Sequence, residues 1–285
     1  RTAIAPTLPA VHIDFNSSPG PSLGVEVELE IVDRATGELA SAATDILTVL
    51  YFHVMRYRCD QPDWPDRDRF ILSKGHSVES LYCTLAKAGY FPDAWLDTYG
   101  SFHSTLAGHP TRKVPGVELN SGALGHGLSV GVGIALGAKM DAKAYRTFVL
   151  MGDGEQGEGS VYEAAMAASH YHLDNLLAII DRNGLQISGA TETVMTLEPM
   201  RQRWESLGWD VKEVNGNDMT ALVDCLDGWM PAGKPTLVIA HTTKGKGVSF
   251  MENVASWHHG VPTSEQLALA LSEIDARIHT LTEKP

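Results

Sequence analysis

Two short apolar runs in the middle of the chain, Thr147 to Met151 and Leu176 to Ile180, each empty into a polar triplet, Gly152-Asp153-Gly154 after the first and Asp181-Arg182-Asn183 after the second. Apolar runs of this length, bounded by polar residues and glycine, read as strands covered on both faces. Lying side by side in a parallel sheet, they would present an Asp and an Asn side chain from one edge, the edge at which open α/β sheets bind ligands. A carboxylate oxygen and an amide oxygen are hard ligands of the kind magnesium takes, with phosphate and water completing its octahedron. Gly154 lets backbone approach a phosphate closely, and a helix beginning just beyond it would face an anion with its first N–H groups. The two strand ends therefore read as a clamp for a magnesium-bound diphosphate, with Asp153 and Asn183 as side-chain metal ligands.

The rest of the chain alternates between helical and strand patterns. Apolar residues at helical spacing run through Ala42 to Arg58 and Ser77 to Ala88, on either side of a Pro- and Asp-rich loop from Asp60 to Asp68. Gly125 to Lys139 repeats Gly and Ala, the composition of a buried helix packed closely on its neighbours. After it the pattern predicts helix Ser160 to His172, a loop through Ile187 to Leu197, helix Glu198 to Leu207, strand Asp210 to Val214, helix Met219 to Trp229, strand Thr236 to His241 and helix Ser264 to Leu281. Such alternation predicts an α/β fold, a parallel sheet with helices on both faces, formed as one domain by residues 41–285. Residues 1–40 stand apart. Gly24 to Asp33 alternates apolar and acidic residues, which predicts an edge strand with Glu26, Glu28 and Glu30 on one face.

Six motifs follow one another in a fixed order: Ser73-Lys74-Gly75-His76, Gly108-His109-Pro110, Ser121 to Gly127, the block from Gly152 to Asn183, Thr243-Lys244-Gly245-Lys246-Gly247 and His258-His259-Gly260. From Ser41 to His259 the chain resembles the N-terminal half of the transketolases, thiamine-diphosphate enzymes in which a Gly-Asp-Gly and an Asn about thirty residues later hold the cofactor. The resemblance implies the thiamine-diphosphate-binding fold, thiamine diphosphate and Mg2+ as cofactors, and transfer of a two-carbon ketol unit from a ketose, or its phosphate, to an aldose or its phosphate. It adds the main-chain carbonyl of Leu185 to Asp153 and Asn183 as a metal ligand. By the same resemblance His76 contacts the diphosphate, His109 approaches the substrate hydroxyls, and Gly122, Ala123 and Leu124 touch the aminopyrimidine ring. Gly154, Glu155, Asn183 and Lys244 also fall to the cofactor, and Lys74 and Lys244 flank the site as charges able to neutralise phosphate. Glu158 would connect cofactor sites across a dimer. His259 would reach the reactive region of the cofactor, with its neighbour His258 leaving the register open by one; His126 stands where the family commonly has Gln.

Transketolases take the glutamate that activates the aminopyrimidine from a separate pyrimidine-binding domain, for which 285 residues leave no room. The resemblance thus implies a C-terminal, pyrimidine-binding subunit, a dimer of heterodimers, and no turnover without the partner. The family's Gly-His-Pro-Gly loop before the first helix is missing, which leaves open a non-catalytic transketolase-like partner chain. Another alternative is that the chain serves a different thiamine-diphosphate enzyme, such as a deoxyxylulose-phosphate synthase. Asp14 to Leu39 instead resembles the start of a glutamate–cysteine ligase-like carboxylate–amine ligase, a remote alternative that would use ATP. Net charge −13 argues against nucleic acid or an anionic membrane as partner. No apolar run reaches the roughly 18 residues of a membrane span. Cys59, Cys83 and Cys225 are odd in number and lack metal-like spacing, as expected of reduced thiols in a cytoplasmic protein.

Overall fold

In the computed structural model the described residues are 43–282, and the strand expected within Gly24 to Asp33, with its three glutamates, lies outside them. Five strands, β1 (Arg69–Leu72), β2 (Thr147–Gly152), β3 (Leu176–Arg182), β4 (Asp210–Asn215) and β5 (Thr236–His241), form one sheet in the order β1-β2-β3-β5-β4. Every neighbouring pair is parallel. The three central strands, β2, β3 and β5, are buried almost end to end, because helices cover both faces.

Side chains of a strand alternate between faces, and the core divides accordingly. On one face Phe148, Leu150, Leu177, Ile179, Val238 and Ala240 pack with α1 (Ala43–Val49), α2 (Val78–Lys87) and α6 (Met219–Leu226). On the other, Val149, Met151, Ala178, Ile180, Leu237 and Ile239 pack with α3 (His126–Met140), α4 (Gly159–His170) and α5 (Met200–Ser206). The last helix, α7 (Ser264–Thr282), packs through Ala270 against Val248 and Met251. Among the described residues no helix is long and apolar enough to cross a membrane.

Four local expectations are corrected. Strand β1 is absent from the sequence pattern, since its apolar run of three residues is too short to show a period. Helix α1 ends at Val49 and continues as a π-helical turn, Leu50–Val54, before the chain extends at Met55, short of Arg58. Helix α3 is buried only along Gly127, Leu128, Gly131, Val132, Ala135 and Ala138, while Ser129, Gly133 and Lys139 face solvent. Its approach to the sheet is close enough that a Cβ on Gly127 would stand 2.4 Å from that of Ser73. Helix α6 stops at Leu226, short of Trp229, whose indole N–H turns in to donate to Thr236 Oγ1 at 2.9 Å.

Candidate functional site

Strands β2 and β3 are paired with Gly152 opposite Asp181, so their C-terminal ends are flush and Asp153 and Asn183 leave the sheet from one edge. The Asp153 carboxylate is buried. Its Oδ1 accepts from the Gly154 N–H at 2.7 Å and its Oδ2 from the Gly184 N–H at 2.6 Å, which holds it one peptide away from Asn183. Burial pushes the Asp153 carboxyl above the usual range and the charge of Asp181 adds to this, while the Gly184 and Gly154 hydrogen bonds and Arg182 pull the other way and are outweighed. Asn183 folds its own Oδ1 back onto the Leu185 N–H at 3.0 Å, a turn typical of asparagine. Leu185 opens a two-residue hairpin, Leu185–Gln186 with Gly189–Ala190, that runs into a helical turn at Thr191–Val194. The helix expected just after Gly154 is a single 3-10 turn, Gly154–Gly157, and the Gly154 N–H meets Asp153 itself; α4 proper begins at Gly159.

Asp181, the last buried residue of β3, is not among the residues the sequence singles out, although a charge at the end of an apolar strand is itself a signal. Its Oδ2 accepts from Lys74 Nζ at 2.5 Å and its Oδ1 from Thr242 Oγ1 at 2.5 Å. Burial pushes Asp181 up, but the Lys74 charge and hydrogen bond, the Thr242 hydrogen bond and the Lys244 charge outweigh it and hold the carboxyl below its usual range. Lys74 is therefore spoken for by Asp181, not available as a free charge for phosphate. Lys244 is different: burial, reinforced by the charge of Lys74, pushes it down to about 8, against the weaker pull of Asp181 and Asp153.

The surrounding loops are tied together by Glu155, whose carboxylate accepts from Ser73 Oγ, from the Gly125 N–H at 2.7 Å and from the Gly152 N–H at 3.0 Å. That side chain thus joins three motifs. Gly75 abuts the Ser121 to Gly127 motif so closely that a Cβ there would meet Ser121 Oγ at 2.8 Å. Ser121 Oγ is buried with no hydrogen-bond partner among the described residues, so a hydroxyl with unused hydrogen-bonding capacity stands at this junction. Gly122, at φ 147°, lies against the exposed His109, whose Cδ2 would be 3.0 Å from an added Cβ. The ring beside His76 is that of His258, with centroids 5.2 Å apart; His259 closes the 3-10 segment Ala255–His259. Ala123, His126 and Glu158 are exposed and Leu124 is half-buried.

The donor set fits a hard cation held together with a phosphate. Among the described residues no three His, Cys, Asp or Glu side chains converge as a metal cage, and a site with one carboxylate, one amide and one carbonyl oxygen is the open kind that magnesium shares with phosphates. A cleft of about 580 Å³ opens at the opposite end of the sheet. Its cations Arg56, Arg146, Lys139 and Lys143 are already paired with Asp68, Asp174 and Asp66.

Residues 32–273 match the family model described as transketolase, thiamine diphosphate binding domain, and all six motifs fall within them. The chain belongs to the transketolase family. It is 58 % identical over 260 residues to an apulose-4-phosphate transketolase subunit of Phocaeicola vulgatus, an alignment covering 90 % of this chain and 92 % of that relative. It is 38 % identical over 233 residues to the 6-deoxy-6-sulfo-D-fructose transketolase subunit SqwG of a Clostridium species, covering 81 % of this chain and 85 % of that one. The solved transketolase of Campylobacter jejuni is similar with a TM-score of 0.75 at 26 % identity, over 92 % of this chain and 48 % of that one. The chain spans about half the length of the solved transketolases it matches.

Proposed function

We propose that this chain is the diphosphate-binding subunit of a two-chain transketolase, which moves a two-carbon ketol unit from a ketose phosphate to an aldose phosphate with thiamine diphosphate and Mg2+. The observation that carries this reading is a contrast of lengths: the chain covers 92 % of a relative that is named as one subunit of a transketolase but 48 % of a solved transketolase chain. The function missing from this half, the pyrimidine-binding side, would come from a partner chain. Apulose 4-phosphate is the first sugar phosphate to test, because the 58 % identical relative is named for it.

In this reading the Asp153 and Asn183 side chains and the Leu185 carbonyl hold the magnesium. His76, Gly122, Ala123, Leu124, Gly154, Glu155, Asn183, Lys244 and the His258-His259 pair face the cofactor, and His109 and Glu158 face the substrate and the neighbouring protomer. When bound, thiamine diphosphate supplies the carbon to which the two-carbon unit is attached. The chain supplies position and field. The buried Lys74–Asp181 pair, with the half-buried Thr242 donating to it, is charge-balanced, and Lys244 adds the cation that a diphosphate draws on. The test is to combine the purified chain with a pyrimidine-binding partner chain, thiamine diphosphate and Mg2+, and to follow ketol transfer from ketose phosphates. Transfer that needs both chains is expected; its absence with every ketose phosphate and aldose phosphate tried would reject the reading.

Lys244 gives this binding a pH dependence. With the amine near 8 in the free chain, it is charged below that value and neutral above it, whereas a phosphate's second proton, with a pKa of about 6, is largely lost by pH 7. Affinity for thiamine diphosphate with Mg2+ is expected to fall by about tenfold between pH 7 and pH 9.5 as the lysine charge is lost. Lys244→Arg, charged throughout, should flatten the profile measured by titration calorimetry.

A further inference from the structure

Arg182 stands between Asp181 and Asn183 at the end of β3, and its guanidinium is directed at the carboxylate read above as the metal ligand. Nη1 lies 3.2 Å from Asp153 Oδ2 and 2.6 Å from Thr191 Oγ1, and Nη2 lies 2.8 Å from Glu192 Oε1 and 3.2 Å from Glu198 Oε1. The chain of contacts continues outward. The Glu192 carboxylate accepts from the Leu197 N–H at 3.3 Å and the Glu198 N–H at 3.4 Å, and Glu198 Oε2 accepts from the Met200 N–H at 2.8 Å, where α5 begins. One cation thus joins Asp153 to the loop Thr191–Glu198.

The hydrogen-bonding capacity of the carboxylate makes this contact consequential. Two carboxylate oxygens offer about four lone-pair positions. In Asp153, Gly154 takes one, Gly184 a second and Arg182 a third. A divalent ion arriving at this carboxylate meets both a crowded oxygen and a neighbouring positive charge. In its absence, the same guanidinium spares Asp153 the cost of an unpaired buried charge.

We propose that Arg182 is a positioning residue that acts as a resident counter-ion, competing with the divalent cation for Asp153, and that Glu192 and Glu198 set its hold by taking the guanidinium charge as the cation enters. The proposal rests on the reading of Asp153 as the metal ligand. It makes two substitutions act in opposite directions. Arg182→Met removes the competing charge and leaves Asp153 in want of a cation, so divalent binding tightens. Glu192→Gln touches no atom of Asp153, yet leaves more of the guanidinium charge on it, so binding weakens. A fastener that merely ordered the loop would weaken binding in both variants.

The experiment titrates Mn2+ into the purified full chain with saturating thiamine diphosphate, reading free Mn2+ by electron paramagnetic resonance. Arg182→Met is expected to bind about tenfold more tightly, in keeping with the removal of a nearby like charge. Glu192→Gln is expected to bind about two- to fivefold more weakly, the range of a half-exposed ion pair, with the difference shrinking in 0.5 M salt as the charges are screened. Weakening in both variants, or an unchanged affinity in Glu192→Gln, would overturn the proposal while leaving the metal site standing. A wild-type chain that binds no Mn2+ would overturn the metal reading and the proposal together. Should Arg182→Met fail to fold, Arg182→Gln, which removes the charge and keeps a hydrogen-bonding end near Thr191 Oγ1, takes its place with the same expected tightening; weakened binding there would overturn the proposal.

Discussion

Asp153→Ala is expected to lower the magnesium-dependent affinity for thiamine diphosphate by at least about a hundredfold, the upper end of what loss of a ligand's supporting partner alone causes. The substitution does more than delete one oxygen. It strips the Gly154 and Gly184 N–H groups of their acceptor and leaves Arg182 directed at the place where a divalent ion would sit. Removing a buried acceptor while its donors remain is the costly way to break a hydrogen bond. Asp153→Asn separates the two effects, since an amide oxygen can still accept from the backbone while the charge is gone. Its loss should be smaller than that of Asp153→Ala but still dependent on magnesium. Titration calorimetry with and without Mg2+ reads both, with circular dichroism as a control for folding. Unchanged affinity in the two variants would refute Asp153 as a metal ligand.

What can be read from the sequence follows from which forces act locally. Strands β2, β3 and β5 are visible because burial on both faces demands an unbroken apolar run. The flush pairing of Gly152 with Asp181 then follows from equal run lengths emptying into polar residues. Strand β1 is not visible: at the sheet edge four residues suffice, and Arg69 opens the strand as an apolar period would not. The same limit applies to the site. Asp153 and Asn183 are legible as strand-end oxygens, but the partner of Lys74 is not, because Asp181 lies more than a hundred residues along the chain and only the fold brings them together. The family resemblance assigns Glu155 to the cofactor but does not show that its carboxylate closes three loops on one another. Motif spacing reports which residues gather, and burial with hydrogen-bond geometry reports which of their atoms are still free.

The largest effect on stability is expected at the Lys74–Asp181 pair, whose side chains are 4 % and 0 % exposed. A buried pair is at best weakly stabilising as a unit, but removing one partner strands a charge in a medium that cannot solvate it. Lys74→Met, which keeps the length of the stem and discards the ammonium, should therefore destabilise the free chain by about 3–5 kcal/mol near pH 7, read from urea denaturation without cofactor. Asp181→Asn in the same background removes the stranded charge, so the double variant should recover a large part of that loss, a coupling that a double-mutant cycle reports. The pH dependence carries a definite sign. In the wild type, Asp181 is held below its usual range by Lys74 against burial, so its contribution is present above the unfolded carboxyl value of about 3.9. It is lost as pH falls through the lower folded value. Without Lys74, burial is opposed only by the Thr242 hydrogen bond and the Lys244 charge, so the carboxyl rises and the variant gains relative stability as acid protonates it. The gap between wild type and Lys74→Met should accordingly narrow as pH falls from neutral into the acid range. A gap that widened in acid, or a double variant no more stable than Lys74→Met, would show that Asp181 is neutral in the folded chain and that Lys74 owes its place to something other than this carboxylate.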